Sequence, residues 1–439
     1  MQNDLTSGSI SKTLLSFSIP YFIAALMQAL YGAVDMYVVG QYSGTSAISA
    51  VNIGSQIMLL ITSFVIGIAM GTTVTLGRHI GAKDYEKAGY ALGNTIVLFG
   101  LISLILLPTM YFLSPFITSL MNTPQEAIYQ TIIYTKVCSI GIPFIVAFNV
   151  SASILRGMGD SKTPMFIVGI ACIINICLDF LLTGYLHLDV LGVALATSLA
   201  QAISSFCGII MMIKKGFPFS FKKSILQFHS HILNNIVSVG LPIAMQDTLI
   251  NISFMIITII ANTRGLVASS AVGVVEKIIG FMFLVPSSML SSISAITAQN
   301  MGAGKIGRIK QTLKLGIIIT CGFGMCMCLL SWICPKTLIS IFSNDFDVIE
   351  AGSEYLKTYS IDCILVGFTF CLNGYLSGMS KSMIVFIHNT ISIFLVRVPL
   401  AYIFSLLFPT TLFYMGLASP CGSLFSILIL SIYFKYMVK

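Results

Sequence analysis

Charged side chains are scarce in this sequence, and long apolar runs take their place. Asp, Glu, Lys and Arg make up 9% of the 439 residues, against about 25% in ordinary soluble domains, while 56% of residues are hydrophobic. A soluble core could not hide that much apolar surface. Apolar runs of roughly 20 residues recur along the chain, each long enough to cross a bilayer as a helix. The composition therefore predicts a polytopic helical membrane protein.

Motifs that would mark an enzyme or a metalloprotein are also lacking. The sequence contains no HExxH or GxSxG motif and no CxxC pair with accompanying histidine. Its 11 cysteines lie mostly in apolar segments, where reduced cysteine packs as a small apolar residue. We therefore expect no enzymatic activity, no cofactor and no metal beyond a possible Na⁺. The net charge is +8, and the basic residues behind it flank the apolar segments. This placement indicates a lipid bilayer rather than nucleic acid as the partner.

The apolar runs predict an all-α fold of twelve transmembrane helices. In the first half they run near 14–40, 47–77, 89–113, 129–156, 163–187 and 190–213. In the second half they run near 234–262, 268–299, 311–334, 352–379, 383–408 and 412–436. The basic stretch 214–233 predicts a cytoplasmic linker, with an N-terminal lobe over 1–213 and a C-terminal lobe over 234–439.

The two halves of the sequence are similar to each other. At an offset of 221 positions the residues Tyr134, Lys136, Ser139, Ile140, Leu155, Gly157 and Met158 recur as Tyr355, Lys357, Ser360, Ile361, Leu376, Gly378 and Met379. The repeat contains six spans, an even number, so both halves enter the membrane in the same direction. This pattern predicts two parallel-repeat six-helix bundles, as in transporters with two lobes.

Most of the 23 Lys and Arg residues lie at the N-terminus, in the even-numbered loops or at the C-terminus. Basic residues collect on the cytoplasmic side of membrane proteins. We therefore expect a multi-pass protein of the cell membrane with both termini in the cytoplasm.

Ionisable residues inside apolar segments are costly in a membrane and are candidates for function. In the first half these are Asp35 and Asp179, with Asn175 one helical turn before Asp179. Counted from the outer helix ends, both carboxylates and Thr197 lie at a common depth within about one turn. Gln28 and Tyr31 share a helix face with Asp35.

Two carboxylates, a carboxamide and a hydroxyl at one depth suit a small hard cation, and they could equally bind protons. The alternative is a hydrogen-bonded polar knot that locks the first, fifth and sixth helices together. The spacing alone leaves both interpretations open, as it does the choice between H⁺ and Na⁺.

The carboxylates do not repeat in the second half. The counterparts of Asp35 and Asp179 fall near Ile257 and Pro399. Other charges occur there instead, namely Asp247, Glu276, Lys277, Asp362 and Arg397. We expect these to attract or select substrates, and Arg397 could neutralise Asp247 or Asp362. For Glu276 and Lys277 the alternative is snorkelling to the membrane surface or pairing with another helix. Glu276 and Lys277 are adjacent and should point to different sides of one helix.

Prolines inside predicted spans favour kinks because each removes a backbone donor. They occur at Pro20, Pro143, Pro242, Pro286 and Pro399. Neighbouring helices can satisfy the freed carbonyl groups, so such a kink is either a static bend or a hinge. Pro20 is the candidate for a moving hinge in the first helix.

The residues named so far, in order, resemble the multidrug and toxic compound extrusion (MATE) family. The segments that carry the resemblance are Pro20 to Gly40 with Gln28, Tyr31 and Asp35, GRHIGAK from Gly77, Asn149 followed by LRGMGDSKTP from Leu155, Asn175 with Asp179, and QNMGAGK from Gln299. The resemblance covers essentially the whole chain.

The resemblance implies two six-helix lobes in a V that alternate access across the membrane. It implies export of cationic or amphipathic small molecules in exchange for H⁺ or Na⁺, by a protein expected to be monomeric. Members with a cation site in the first lobe match Asp35, Asn175, Asp179 and Thr197, with Asn149 in the same network. Pro20, Gln28 and Tyr31 match the substrate cavity and first-helix switch.

One departure bears on the second lobe. Several members carry a glutamate eight residues after the proline of the seventh helix, where this sequence has Ile250. This favours coupling in the first lobe. The alternative function is a flippase for lipid-linked precursors, within the same superfamily. From other classes, a passive channel would conduct ions without alternating access, and a membrane enzyme would need a catalytic constellation.

Overall fold

The computed structural model of the chain describes residues 4–121, 123–218 and 228–437. Within these ranges all regular structure is helical, which confirms the predicted all-α polytopic class. The spans of the first half are α1 (Ile10–Tyr42), α2 (Thr45–Gly81), α3 (Tyr85–Leu120), α4 (the bent pair Gln125–Ile140 and Ile142–Gly157), α5 (Lys162–Tyr185) and α6 (Asp189–Lys215). Those of the second half are α7 (Ser230–Asn262), α8 (Leu266–Gly302), α9 (Ile306–Ile333), α10 (the bent pair Phe346–Tyr359 and Asp362–Gly378), α11 (Ser382–Leu407) and α12 (Phe413–Tyr436).

Ten of these helices are long and apolar enough to span a membrane, and the two bent pairs bring the number to twelve. Their ends differ from the predicted ends by several residues; α3, for instance, continues to Leu120 although Pro108 and Pro115 lie inside it. Part of the predicted linker, residues 219–227, lies outside the described residues.

Two of the predicted prolines adjoin irregular points in the helices. Pro143 follows the 50° bend of α4 directly, and Pro399 follows a π-helical segment of α11 at Ile393–Arg397. Pro20 and Pro242 instead lie within continuous helices. The 44° bend of α10 has no proline, so proline spacing alone does not predict it.

The chain forms two compact units. The first unit consists of Leu15–Ala244 with Ala298–Gly304 and the N-terminal stretch to Ser7. The second unit consists of Met245–Thr297 and Lys305–Lys439 with Gly8–Leu14. Each has its own apolar core. The start of α7, up to Ala244, and the end of α8, from Ala298, therefore belong to the first unit, whereas the rest of both helices belongs to the second.

Residues that repeat between the halves are core residues in both. Ala50, Val51 and Leu155 are fully buried in the first unit. Their counterparts in the second unit, Ala271, Val272 and Leu376, are fully buried as well. The repeat therefore preserves the packing positions of the six-helix frame.

Candidate functional site

Asp35, Asn175 and Asp179 come together inside the first unit. Asp35 projects from α1, and the other two lie one turn apart on α5. Asp35 is 4% exposed and Asp179 is 0% exposed. Both Asn175 and Asp179 lie within interaction range of the Asp35 side chain. We call these three residues the Asp35 cluster.

Most polar atoms of the Asp35 cluster lack a hydrogen bond within the described residues. These atoms are Asp35 Oδ1, both carboxylate oxygens of Asp179, and Oδ1 and Nδ2 of Asn175. A structural knot would pair its buried polar atoms, because an unpaired one costs about 1–3 kcal/mol. Two neighbouring carboxylates also repel each other in a low-dielectric interior. The arrangement therefore suits a positively charged ligand held by oxygen atoms.

Aromatic and polar side chains surround the cluster. Tyr31, Tyr134 and Cys138 lie within electrostatic range of Asp35. Tyr31 also interacts with Gln201 of α6. The hydroxyls of Tyr134 and Ser55 lie 3.2 Å apart. Tyr134 and Gln201 are absent from the sequence-based site, although the repetition of Tyr134 as Tyr355 was a signal for the former.

Thr197 lies on α6, one turn before Gln201. Its hydroxyl oxygen and Gln201 Oε1 are both buried without a hydrogen-bond partner in the part of the chain that the structure describes. Residues four apart share a helix face. Since Gln201 contacts Tyr31, this face of α6 is oriented toward the α1 side of the cluster. The Thr197 hydroxyl makes no hydrogen bond to the carboxylates within the described residues.

Gln28 and Asn149 line a cavity that the residues of the Asp35 cluster do not line. It has a volume of about 60 Å³ and is also lined by Tyr21 and Arg156, with room for about four water molecules. The Asn149 amide donates to Ile145 O at 2.8 Å. The guanidinium of Arg156 lies 5.0 Å from the centre of the Tyr21 ring. The structure thus places Asn149 with the predicted cavity residue Gln28. Pro20 is buried in α1, next to Tyr21.

Three charged residues of the second unit form another group, the Arg397 cluster of Glu276, Asp362 and Arg397. The Ser419 hydroxyl donates to Asp362 Oδ2 at 2.7 Å. Thr258 Oγ1 lies 3.4 Å from both oxygens of Glu276. The guanidinium of Arg397 lies within electrostatic range of both carboxylates. It makes no direct salt bridge to either within the described ranges.

Asp247 and Lys277 do not join the Arg397 cluster. Asp247 is half-buried on α7 and has no hydrogen bond or salt bridge to the described residues. Glu276 is half-buried whereas Lys277 is exposed, as the prediction that they point to different sides requires. The second-half charges therefore divide into one cluster and two isolated groups. Across the described ranges, no three His, Cys, Asp or Glu side chains group as metal ligands.

The MatE family profile matches this chain twice, over residues 20–181 and again over 242–403. The two matches cover well over half of the sequence, and both ends of the second lie 222 residues after those of the first. The family match thus agrees with the internal repeat and shifts its register by one residue from the offset of 221.

The first-half carboxylates have no equivalents at the corresponding positions of the second half. At offsets of 221 and 222 the position of Asp35 corresponds to Ile256 or Ile257, and that of Asp179 to Leu400 or Ala401. Ile257 and Ala401 are buried in the apolar core of the second unit. The second half therefore has apolar residues at both places, near Ile257 and Pro399.

Known proteins resemble the chain over nearly its whole length. It is 27% identical over 403 residues to the probable multidrug resistance protein YpnP of Bacillus subtilis (strain 168), covering 92% of this chain and 90% of that protein. It is 26% identical to the multidrug export protein MepA of Staphylococcus haemolyticus (strain JCSC1435), covering 85% and 82%. A crystal structure of MATE in complex with MaL6 shares the fold, with a TM-score of 0.91 at 22% identity, covering 97% of this chain and 96% of that chain. The chain therefore belongs to the MatE family of multidrug transporters.

Proposed function

We propose that this protein is a secondary antiporter that exports cationic or amphipathic compounds in exchange for H⁺ or Na⁺. It acts by alternating access, as a monomer in the cell membrane with both termini in the cytoplasm. Two relatives are named as multidrug resistance or multidrug export proteins, which supports small-molecule export. The distribution of basic residues supports the orientation.

The Asp35 cluster is the observation that carries the coupling proposal. It brings two buried carboxylates together, and three of their oxygens have no hydrogen-bond donor among the described residues. Such oxygens are suitable ligands for a proton or a small hard cation. Asn175 contributes an amide oxygen to the same place. Thr197 and Gln201 are outer partners on α6.

The proposed cycle follows from the repulsion between the two carboxylates. Without a cation, Asp35 and Asp179 repel each other, and this repulsion keeps α1 and α5 apart. A bound proton or Na⁺ neutralises one charge and allows α1 to move closer to α5. Movement of α1 about Pro20 then narrows the cavity that Gln28 lines, and the substrate is released. For an uncharged amphipathic substrate, one charge moving through 100 mV supplies about 2.3 kcal/mol, enough for roughly 50-fold concentration; for a monovalent cation the exchange is electroneutral and the cation gradient alone supplies the energy.

Transport of a cationic dye in everted vesicles tests the coupling role. A pH gradient and a Na⁺ gradient are imposed separately on the wild type, on Asp35→Asn and on Asp179→Asn. We expect both variants to lose gradient-driven efflux. Glu126→Gln removes an exposed carboxylate from the same half and should behave as the wild type. Undiminished efflux by Asp35→Asn would refute the coupling role.

The same preparation separates export of small molecules from the alternative of lipid-linked precursor flipping. A labelled lipid-linked substrate is offered in place of the dye. The proposal predicts dye export without flipping of the lipid. Flipping that outcompetes dye export would favour the alternative.

A further inference from the structure

The Arg397 cluster and the Asp35 cluster each lie beside a tyrosine that repeats between the two halves. Tyr134 lies within electrostatic range of Asp35 in the first unit. Its repeat partner Tyr355 lies within electrostatic range of Glu276, Asp362 and Arg397 in the second unit. The two tyrosines are both fully enclosed core residues of their units. Each half therefore has one charged cluster beside an equivalent tyrosine.

The second-half cluster contains a fixed positive charge, whereas the Asp35 cluster contains none. Arg397 lies on α11, the fifth span of the second half, and Asn175 and Asp179 lie on α5, the fifth span of the first half. The guanidinium of Arg397 thus lies on the helix that corresponds to the one lining the proposed cation site of the first unit.

The surroundings of Arg397 hold its guanidinium in place. Its side chain is 9% exposed. Nη2 donates to the Tyr359 hydroxyl at 2.9 Å, and the guanidinium lies 4.4 Å from the centre of the Phe254 ring. Both contacts favour a positive charge at the guanidinium. Neither neutralises that charge, because the Tyr359 hydroxyl and the Phe254 ring are both uncharged.

Asp362 is the carboxylate that this charge faces across a shared cavity. The cavity has a volume of about 80 Å³ and is lined by Asp362 and Arg397. Asp362 is 2% exposed, and its Oδ1 has no hydrogen bond within the described residues; nor has Arg397 Nε. A buried carboxylate without a compensating charge would be very costly.

The other titratable groups around Arg397 are few. Glu276 faces it from α8, and Tyr355, Tyr359 and Asp362 face it from α10. From α7 the facing side chain is Phe254, which is uncharged. Glu276 is half-buried with the Thr258 hydroxyl nearby, whereas Asp362 is buried and accepts a hydrogen bond from Ser419 on one oxygen only. Both carboxylates lie within range of the guanidinium, and Asp362 is the one that shares its cavity.

We propose that Arg397 is a resident counter-cation: its guanidinium neutralises Asp362 and so prevents the second unit from binding an exchangeable H⁺ or Na⁺. This inference rests on the proposed function, because it explains why coupling is confined to the first unit. It makes Arg397 a residue that sets the number of cations exchanged per substrate. Loss of the guanidinium should create a second cation site.

Cation binding to the purified protein tests this directly and needs no transport. Proton uptake on acidification near neutral pH and binding of radiolabelled Na⁺ are counted per molecule. Arg397→Gln should bind one more cation than the wild type. The double variant Arg397→Gln with Asp362→Asn should return to the wild-type number. Arg397→Lys, which keeps the charge, should also match the wild type.

Asp362→Asn alone keeps the test decisive even if Arg397→Gln does not fold. Asparagine has nearly the shape of aspartate, and the guanidinium remains. Because Asp362 is already neutralised in the wild type, this variant should bind the wild-type number of cations. Loss of one cation in Asp362→Asn, or an unchanged number in Arg397→Gln, would overturn the inference. Asp35→Asn in the same assay reports separately on the proposed function. That proposal predicts the loss of one cation, and an unchanged number in Asp35→Asn would contradict it without bearing on Arg397.

Discussion

At the scale of single residues, Thr197 separates a cation site from a structural knot. Its hydroxyl is buried and has no hydrogen-bond partner in the described ranges. Thr197→Val keeps the shape and removes the hydroxyl. We expect the variant to be as stable as the wild type or more stable by about 1 kcal/mol, because an unpaired buried hydroxyl is lost. The Thr197 hydroxyl is an outer partner of the site, so its removal should weaken cation binding about tenfold.

Thermal unfolding in detergent and cation titration measure these two effects separately. Ser204→Ala is a matched control on the same helix, since the Ser204 hydroxyl bonds only its own helix at Ala200 O, 2.6 Å away. A lower melting temperature of Thr197→Val with unchanged cation affinity would instead indicate the polar knot.

Asp160, outside the spans, gives a prediction about pH. Partial burial opposes ionisation of its carboxyl group, but hydrogen bonds from Lys215 and Thr163 outweigh this and lower the pKa. A lowered folded-state pKa stabilises the protein above the unfolded value of about 3.9 and ceases to do so as the pH falls through the folded value. Asp160→Asn should therefore cost about 1 kcal/mol at neutral pH, and less in acid.

Melting temperatures over a pH series check this prediction. Lys215→Gln should lose a similar amount, and the double variant with Asp160→Asn should lose little more than either single variant, because both remove one interaction. Equal losses at neutral and strongly acidic pH would contradict the electrostatic origin.

The sequence predicts the Asp35 cluster better than the groups around it. Counting residues from helix ends places Asp35 near Asn175 and Asp179, because regular helices convert sequence distance into depth. The same counting does not place Asn149, which lies beyond the bend of α4 in the cavity with Gln28. Nor does it place Arg397 in the cavity that Asp362 also lines, since this placement depends on the rotation of α11 about its axis.

At the scale of helices, proline accounts for only one of the two bends. The bend of α4 adjoins Pro143, whereas α10 bends by 44° at the equivalent place without a proline. The repeat itself is the better guide, because Ser139 and Ile140 recur as Ser360 and Ile361 at the second bend. Packing in the frame, rather than the local sequence, fixes this second bend.

Close packing between the ends of α2 and α8 within the first unit depends on Gly81. A Cβ atom on Gly81 would lie 1.9 Å from the carbonyl oxygen of Gln299. Its repeat partner Gly302 is in the same situation against Arg78 O. Gly81→Ala should therefore destabilise the protein by about 1–3 kcal/mol.

Gly100 on α3 supplies the control, because nothing lies within 4 Å of an added Cβ there. Gly100→Ala should be neutral or raise the melting temperature slightly, as alanine favours a helix over glycine. A melting temperature of Gly81→Ala equal to that of Gly100→Ala would show that the helices are not in tight contact in solution.

At the scale of the whole molecule, the two halves share a frame and differ in charge. The family match confirms the duplication, and repeated positions pack both cores. The positions of the first-half carboxylates fall in apolar sequence near Ile257 and Pro399 in the second half, where Arg397 adds a fixed positive charge. Sequence comparison predicts the apolar counterparts. It does not give the role of Arg397, which depends on contacts made only in the folded unit.

The central claim is that cation coupling resides in the first half alone. Gradient-driven dye transport by purified protein in liposomes tests it most directly, with Asp35→Asn and Asp362→Asn compared at equal reconstituted amounts. The account predicts that Asp35→Asn abolishes transport driven by the coupling cation, whereas Asp362→Asn retains the wild-type number of cations per substrate, measured from the reversal potential. Coupled transport that survives Asp35→Asn but is lost in Asp362→Asn would contradict it.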